Sequence, residues 1–171
     1  MSDSALHHPG LVWHAHADSQ QWCAAITDAL AHTLAGAGAN NPMRLLLSGG
    51  GTPAPVYAAL ARRPLPWAHI ELGLVDERWL PASDPNRNDV LVHQHLLTQQ
   101  PAARLQPLAQ DASGWQDSAA AANAWWQAGP QPQLAVLGMG ADGHTASLFP
   151  GSPDLAAASR HALPYATLDA S

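Results

Sequence analysis

The sequence predicts an α/β fold of three layers, a mostly parallel sheet with helices on both faces. Two observations predict it. Short apolar runs of strand length alternate with longer helical stretches, the order that builds a parallel sheet covered on both sides. Three of those runs end in glycines or in charged residues, the character of loops at the carboxyl edge of such a sheet.

The elements follow in chain order. A short strand is expected at 11–14, then a helix over 19–34. The stretch 36–42, rich in Gly and Asn and closed by Pro42, stops that helix. Met43-Arg44-Leu45-Leu46-Leu47 reads as a buried strand, and 53–61 as a helix. Pro53 suits its first turn, where the missing N–H has no partner to lose. A third strand is expected at 69–75, followed by a Pro- and Asp-rich loop at 80–87 and a helix at 88–97. An extended piece at 104–108 precedes a helix at 113–126, with Ser113 as its cap. Ala119-Ala120-Ala121-Ala122 inside it reflects helix propensity. The last strand, 133–137, runs into a Gly-rich loop. The alternation is Rossmann-like, and no internal repeat interrupts it.

Composition narrows the class. The 171 residues suffice for one domain, 1–171, with a sizeable core. With 47% hydrophobic and 12% charged residues the chain is globular rather than disordered. No apolar run approaches a membrane span. The start, Met1 to Pro9, has no basic segment leading into an apolar one, so no signal peptide is expected. Cys23 is the only cysteine, which excludes an internal disulfide and fits a reducing, cytoplasmic setting. It lies among Trp22, Ala24, Ala25 and Ile26 and is expected to pack in the interior. A net charge of −6 argues against nucleic acid as a partner and leaves capture of an anionic substrate to local groups. The ten histidines include close pairs at 7/8, 14/16 and 93/95, but no His-Glu-x-x-His spacing and no cysteine beside them. No metal and no cofactor are expected. Trp125 and Trp126 are expected to divide between core and surface.

Three strand ends carry the chemistry. After the last strand comes Leu137-Gly138-Met139-Gly140-Ala141-Asp142-Gly143-His144. Its glycines let the backbone turn sharply and approach a ligand. Asp142 and His144 place a carboxylate beside a group that titrates near neutrality, a pairing suited to proton transfer. After strand 43–47 comes Ser48-Gly49-Gly50-Gly51-Thr52-Pro53. Consecutive glycines there leave N–H groups to line an anion site, and the following helix aims its positive end at the same place. It is neither a Walker loop nor a G-x-G-x-x-G fingerprint. After strand 69–75 comes Asp76-Glu77-Arg78-Trp79, where Arg78 can hold a phosphate or carboxylate by two N–H groups. A parallel sheet puts all three ends on one edge, so the loops are expected to meet in one cleft.

These segments resemble the 6-phosphogluconolactonases of the sugar-phosphate isomerase-like superfamily. The resemblance rests on Leu-Ser-Gly-Gly-Gly-Thr-Pro at 47–53, Val-Asp-Glu-Arg-Trp-Leu-Pro at 75–81, Asp84-Pro85-Asn86-Arg87-Asn88, and the run from Gly138 to Gly151, in the family's order. Related glucosamine-6-phosphate deaminases share the first segment and resemble the Asp-Gly-His segment. They typically carry Asp-Glu-Tyr after the second strand and lack Thr-Ala-Ser-Leu-Phe after the His, so both differences favour the lactonase. Two departures stand out. Members usually have Ser-Asn where this chain has Arg87-Asn88, and the family continues beyond 171 residues with a further strand, helices and a phosphate-binding Lys. All seven basic residues here are Arg, and the domain is expected to be incomplete at its C-terminus.

The resemblance implies hydrolysis of 6-phospho-D-glucono-1,5-lactone in the oxidative pentose phosphate pathway, with a sugar-phosphate lactone as the small-molecule partner. His144 would take the proton from water and return it to the departing ring oxygen, with Asp142 orienting the imidazole. Loop N–H groups near Gly140–Gly143 would stabilise the tetrahedral oxyanion. Arg78 with Ser48, Gly49, Gly50, Gly51 and Thr52 would bind the phosphate. Asp76 would hold a sugar hydroxyl or position Arg78, and Asn88 supplies the family's amide. No Gly-x-Ser-x-Gly nucleophile is present. Two other readings stay open: an amino-sugar-phosphate isomerase or deaminase with Asp76 as base, and a binding module without turnover. Ketose or ammonia production marks the first, binding without hydrolysis the second.

Overall fold

The structure is a computed structural model that describes residues 12–110 and 114–153. The helix α1 (Ser19–Leu34) matches its expected bounds. Asp18 fixes its start by accepting the Gln21 N–H at 2.8 Å, as a helix cap does. The strand β1 (Met43–Leu47) also falls where expected, and α2 (Ala54–Ala61) follows with Pro53 at its cap. The strand β2 (Ile70–Leu74) is entered by a 3-10 turn, Trp67–His69, so it begins one residue later than the sequence pattern suggests. The helix α3 (Asn88–Val92) widens into a π turn over His93–Leu97. The strand β3 (Arg104–Leu105), the helix α4 (Trp115–Ala128) and the strand β4 (Leu134–Ala135) complete the order.

The strands expected at 104–108 and 133–137 are shorter, Arg104–Leu105 and Leu134–Ala135, and three further expectations need correction. The strand expected at 11–14 does not form over 12–14; Val12 and Trp13 stand 71% and 69% exposed, and no strand among the described residues pairs with them. Gly114, not Ser113, lies at the cap of α4, and Ser113 falls outside the described residues. Trp125 and Trp126 are both half-buried rather than split between core and surface.

The four strands are parallel in the order β3-β2-β1-β4. Side chains of β1 alternate across the sheet, as a pleated strand requires. Leu45 and Leu47 enter a core with Leu30, Leu34, Val56, Tyr57, Leu60 and Leu96, so α1, α2 and the α3 region cover that face. Cys23 packs against this core from its margin. The other face meets α4. A Cβ on Gly73 would come within 2.7 Å of the Trp125 ring and 2.9 Å of Leu46, so the strand is shaped for that ring.

Arg44 also points to the α4 face, fully buried. It pairs with Glu71, its register partner on β2, at 2.7 Å, and donates to the carbonyls of Trp125 and Trp126 at 3.1 and 3.2 Å. Its guanidinium lies 3.6 Å from the centre of the Trp125 ring. A buried charge is tolerated only with such partners, and a cation at the last carbonyls of a helix is favoured by its dipole. Arg44 thereby joins β1, β2 and α4. No helix among the described residues is long and apolar enough to cross a membrane.

Candidate active site

The carboxyl ends of β1, β2 and β4 converge on a cleft of about 320 Å3. From the turn after β1 come Ser48, Gly49, Gly50 and Thr52. From the loop after β2 and the start of α3 come Asp76, Arg78 and Asn88. From the loop after β4 come Gly138, Met139, Gly140, His144 and Ala146. Gly51, Asp142 and Gly143 belong to the same loops without lining the cleft.

The β4 loop is built from short-range bonds. Asp142 Oδ1 lies 2.5 Å from His144 Nδ1 and also accepts the His144 backbone N–H at 3.2 Å. These two bonds hold the Asp142 carboxyl below the usual carboxylate range, the ring contact contributing most. Phe149 packs on the imidazole with ring centres 4.9 Å apart. With Nδ1 engaged by Asp142, Nε2 is the nitrogen left to accept a proton. Gly140 makes the arrangement possible. A Cβ there would stand 2.2 to 2.3 Å from the His144 ring, closer than any side chain tolerates.

Two of the N–H groups in the stretch expected to stabilise an oxyanion are engaged within the loop. Gly140 donates to the His144 carbonyl at 2.8 Å, and Gly143 to the Gly140 carbonyl at 3.0 Å. Ala146, on the cleft wall, has φ of 49°, in the left-handed region that non-glycine residues seldom adopt.

The β1 turn is fixed from below by Tyr57 of α2. Its hydroxyl donates to the Ser48 carbonyl at 2.8 Å and accepts the Ser48 N–H at 3.0 Å. Burial pushes the Tyr57 hydroxyl up to about 12. The N–H of Ser48 is thus spent inside the protein, which leaves those of Gly49 to Thr52 as the candidates for an anion.

The β2 loop is organised by charges. Asn88 Nδ2 donates to the Asp76 carbonyl at 2.9 Å and to Asp76 Oδ1 at 3.1 Å. Gly49 must lack a side chain, because a Cβ would fall 1.7 Å from Asn88 Oδ1. Asp76 Oδ2 accepts the hydroxyl of Ser147, which ties the β2 loop to the β4 loop at 3.2 Å. Arg78 is exposed and donates to the Asn86 carbonyl at 3.3 Å. Arg87 is buried: it chelates Asp89 and reaches the carbonyls of Leu80 and Ala109 at 3.2 and 2.8 Å. The unusual arginine of this loop therefore fastens it to the segment after β3.

Sequence reasoning missed four residues that shape the cleft: Tyr57, Glu77, Ser147 and Phe149. Tyr57 carries no local signal, since only the fold brings it beneath Ser48. The others lie inside segments already singled out. Among the described residues no three His, Cys, Asp or Glu side chains gather as a metal would require.

A parallel α/β sheet whose strand ends enclose one polar cleft defines a protein that binds a small ligand at the sheet's carboxyl edge. Residues 17–169 match the family model of glucosamine-6-phosphate isomerases/6-phosphogluconolactonase, and the chain belongs to that family. It is 51% identical over 126 residues to a 6-phosphogluconolactonase of Xylella fastidiosa, covering 74% of this chain and 53% of that protein. It is 44% identical over 147 residues to one of Mesorhizobium japonicum, covering 84% and 62%. Among solved structures, a 6-phosphogluconolactonase from Shewanella baltica superimposes with a TM-score of 0.67 at 32% identity, over 82% of this chain and 60% of that one. The enzyme from Trypanosoma brucei gives 0.65 at 28% identity, over 82% and 64%. The chain thus spans between half and two thirds of the length of these relatives.

Proposed function

We propose that this chain is a 6-phosphogluconolactonase domain, hydrolysing 6-phospho-D-glucono-1,5-lactone to 6-phospho-D-gluconate in the oxidative pentose phosphate pathway. The observation that carries the reading is the His144–Asp142 pair, 2.5 Å apart, on a cleft that also presents Arg78 and the glycine turn. A lactone is an ester, and water attacks it slowly until a base removes a proton. His144 Nε2 takes that proton as the water oxygen bonds to the lactone carbonyl carbon. Asp142, charged at neutral pH, stabilises the imidazolium. The tetrahedral intermediate collapses by breaking the bond to the ring oxygen, and His144 returns its proton there.

The other groups bind. Arg78 and the N–H groups of Gly49 to Thr52 suit a phosphate. Asp76, held by Asn88 and Ser147, is placed to accept a sugar hydroxyl. The step is a hydrolysis and calls on no cofactor. Cys23, a free thiol, supports a cytoplasmic setting, and the net charge of −6 supports a small-molecule rather than a nucleic-acid partner.

The test is an assay of lactone disappearance, corrected for spontaneous hydrolysis, with ammonia and ketose measured beside it. Accelerated hydrolysis without ammonia or ketose is expected. Ammonia or ketose from an amino-sugar phosphate, or ligand binding with no turnover, would overturn the reading.

A further inference from the structure

We propose that Glu77 is the positioning residue of the phosphate end of the cleft, holding Arg78 in register with the start of α3 by accepting three backbone N–H groups. The proposal rests on the lactonase reading above and deepens it.

The geometry is specific. Glu77 lies between two residues that line the cleft, yet its own side chain turns away from it. Oε1 accepts the Arg78 N–H at 2.8 Å and the Asn88 N–H at 2.7 Å, and Oε2 accepts the Asp89 N–H at 2.9 Å. One carboxylate thus spans the break between the exit of β2 and the first turn of α3. On either side of that clamp stand the binding groups: Asp76, bonded to the Asn88 amide, and Arg78, bonded to the Asn86 carbonyl. Releasing the clamp frees the two segments to part, which moves Arg78 relative to the glycine turn.

The clamp is also half-buried. Burial pushes the Glu77 carboxyl above its ordinary range despite the three N–H groups that favour its charge, and the neighbouring Asp89 adds to the rise. An acid raised in this way costs folding stability as pH climbs past its ordinary and its folded values, because the folded protein holds the proton more tightly. Glutamine keeps one acceptor oxygen and sets an NH2 against a backbone N–H, so Glu77→Gln is expected to lose some stability as well as the clamp. What the carboxylate supplies is two acceptor oxygens at fixed spacing, and glutamine has only one.

The experiment compares wild type, Glu77→Gln and Glu77→Asp on 6-phosphogluconolactone and on the same lactone without phosphate. For Glu77→Gln we expect KM for the phosphorylated lactone to rise roughly tenfold, the scale of a lost charge-assisted contact. The kcat stays within about twofold, and kcat/KM for the phosphate-free lactone falls far less than that for the phosphorylated one. Glu77→Asp, one methylene shorter, shows the same split and decides the matter if the glutamine variant does not fold. An unchanged KM, or an equal loss on both lactones, overturns the proposal. Wild type that turns over neither lactone would instead overturn the functional reading, so the two failures are told apart.

Discussion

The loops after β2 and β4 face each other across the cleft and are built by different physics. The β4 loop holds its shape by bonds within itself: Asp142 to His144, Gly140 to the His144 carbonyl, Thr145 to the Gly138 carbonyl at 2.6 Å. Its His144–Asp142 pair is half exposed to exposed, the two side chains at 37% and 60%. The β2 loop is held by partners far along the chain or in another element, through Glu77, Arg87 and Asn88. Two of these three carry charge, and Arg87 and Asn88 are buried. On the proposed reading, proton chemistry is mounted on a turn held mostly by its own bonds, and ligand binding on a scaffold. Changes in the first are expected to alter turnover with little effect on stability. Changes in the second are expected to alter stability and affinity.

The largest expected effect is on turnover. His144→Ala removes the proposed base and should lower kcat by about 10²–10⁴-fold, the share of a general base. Because the ring is half exposed and its bonds are local, the melting temperature should move little. A folded variant that hydrolyses lactone at near wild-type rate would remove His144 from the mechanism.

Arg87→Ala should break the comparison from the other side. It strands Asp89, which is only 15% exposed, and unties Leu80 from Ala109. Removing one member of a buried ion pair costs about 3–5 kcal/mol. Urea unfolding should show a loss of that order. An unchanged midpoint would mean that the loop stands without its arginine.

Arg78→Ala should come next, with roughly 1.5–3 kcal/mol lost from binding as the charge-assisted contact to phosphate disappears. It should appear as a raised KM with stability intact, since Arg78 is exposed. If the phosphate-free lactone suffers equally, Arg78 holds some other part of the substrate.

The same contrast explains what was legible in the sequence. Ser48, Asp76 and Gly138 could be placed at one edge because parallel strands put their ends there, and β1, β2 and β4 do meet at the cleft. The Asp142–His144 contact was legible because two residues apart in a glycine turn leaves few alternatives. The β2 loop was not. Arg87 read only as a departure from the related sequences, since its partners at Leu80 and Ala109 are set by tertiary structure. Arg44 read as part of an apolar strand, and only the register against Glu71 shows why a charge sits there. The strand expected at 11–14 failed for a related reason: an apolar run of strand length needs a neighbour, and 12–14 has none among the described residues.

The smallest expected effect is of chelation, and it sharpens the comparison by asking whether either loop keeps a donor set for a cation. In the β4 loop the Asp142 Oδ1 that could ligate is held by the His144 ring and backbone. In the β2 loop Asp76 accepts from Asn88 on one oxygen and from Ser147 on the other, and Glu77 gives both oxygens to backbone N–H groups. Divalent cations need several carboxylate or carbonyl oxygens, or imidazoles, converging on one point. On the proposed reading, donors committed in this way serve a sugar and a base for water instead. Lactone hydrolysis measured after dialysis against EDTA should therefore match the untreated protein within error. Activity lost to the chelator and regained on adding a divalent ion would show that the loops rearrange to bind metal, and would overturn the His-assisted route as drawn.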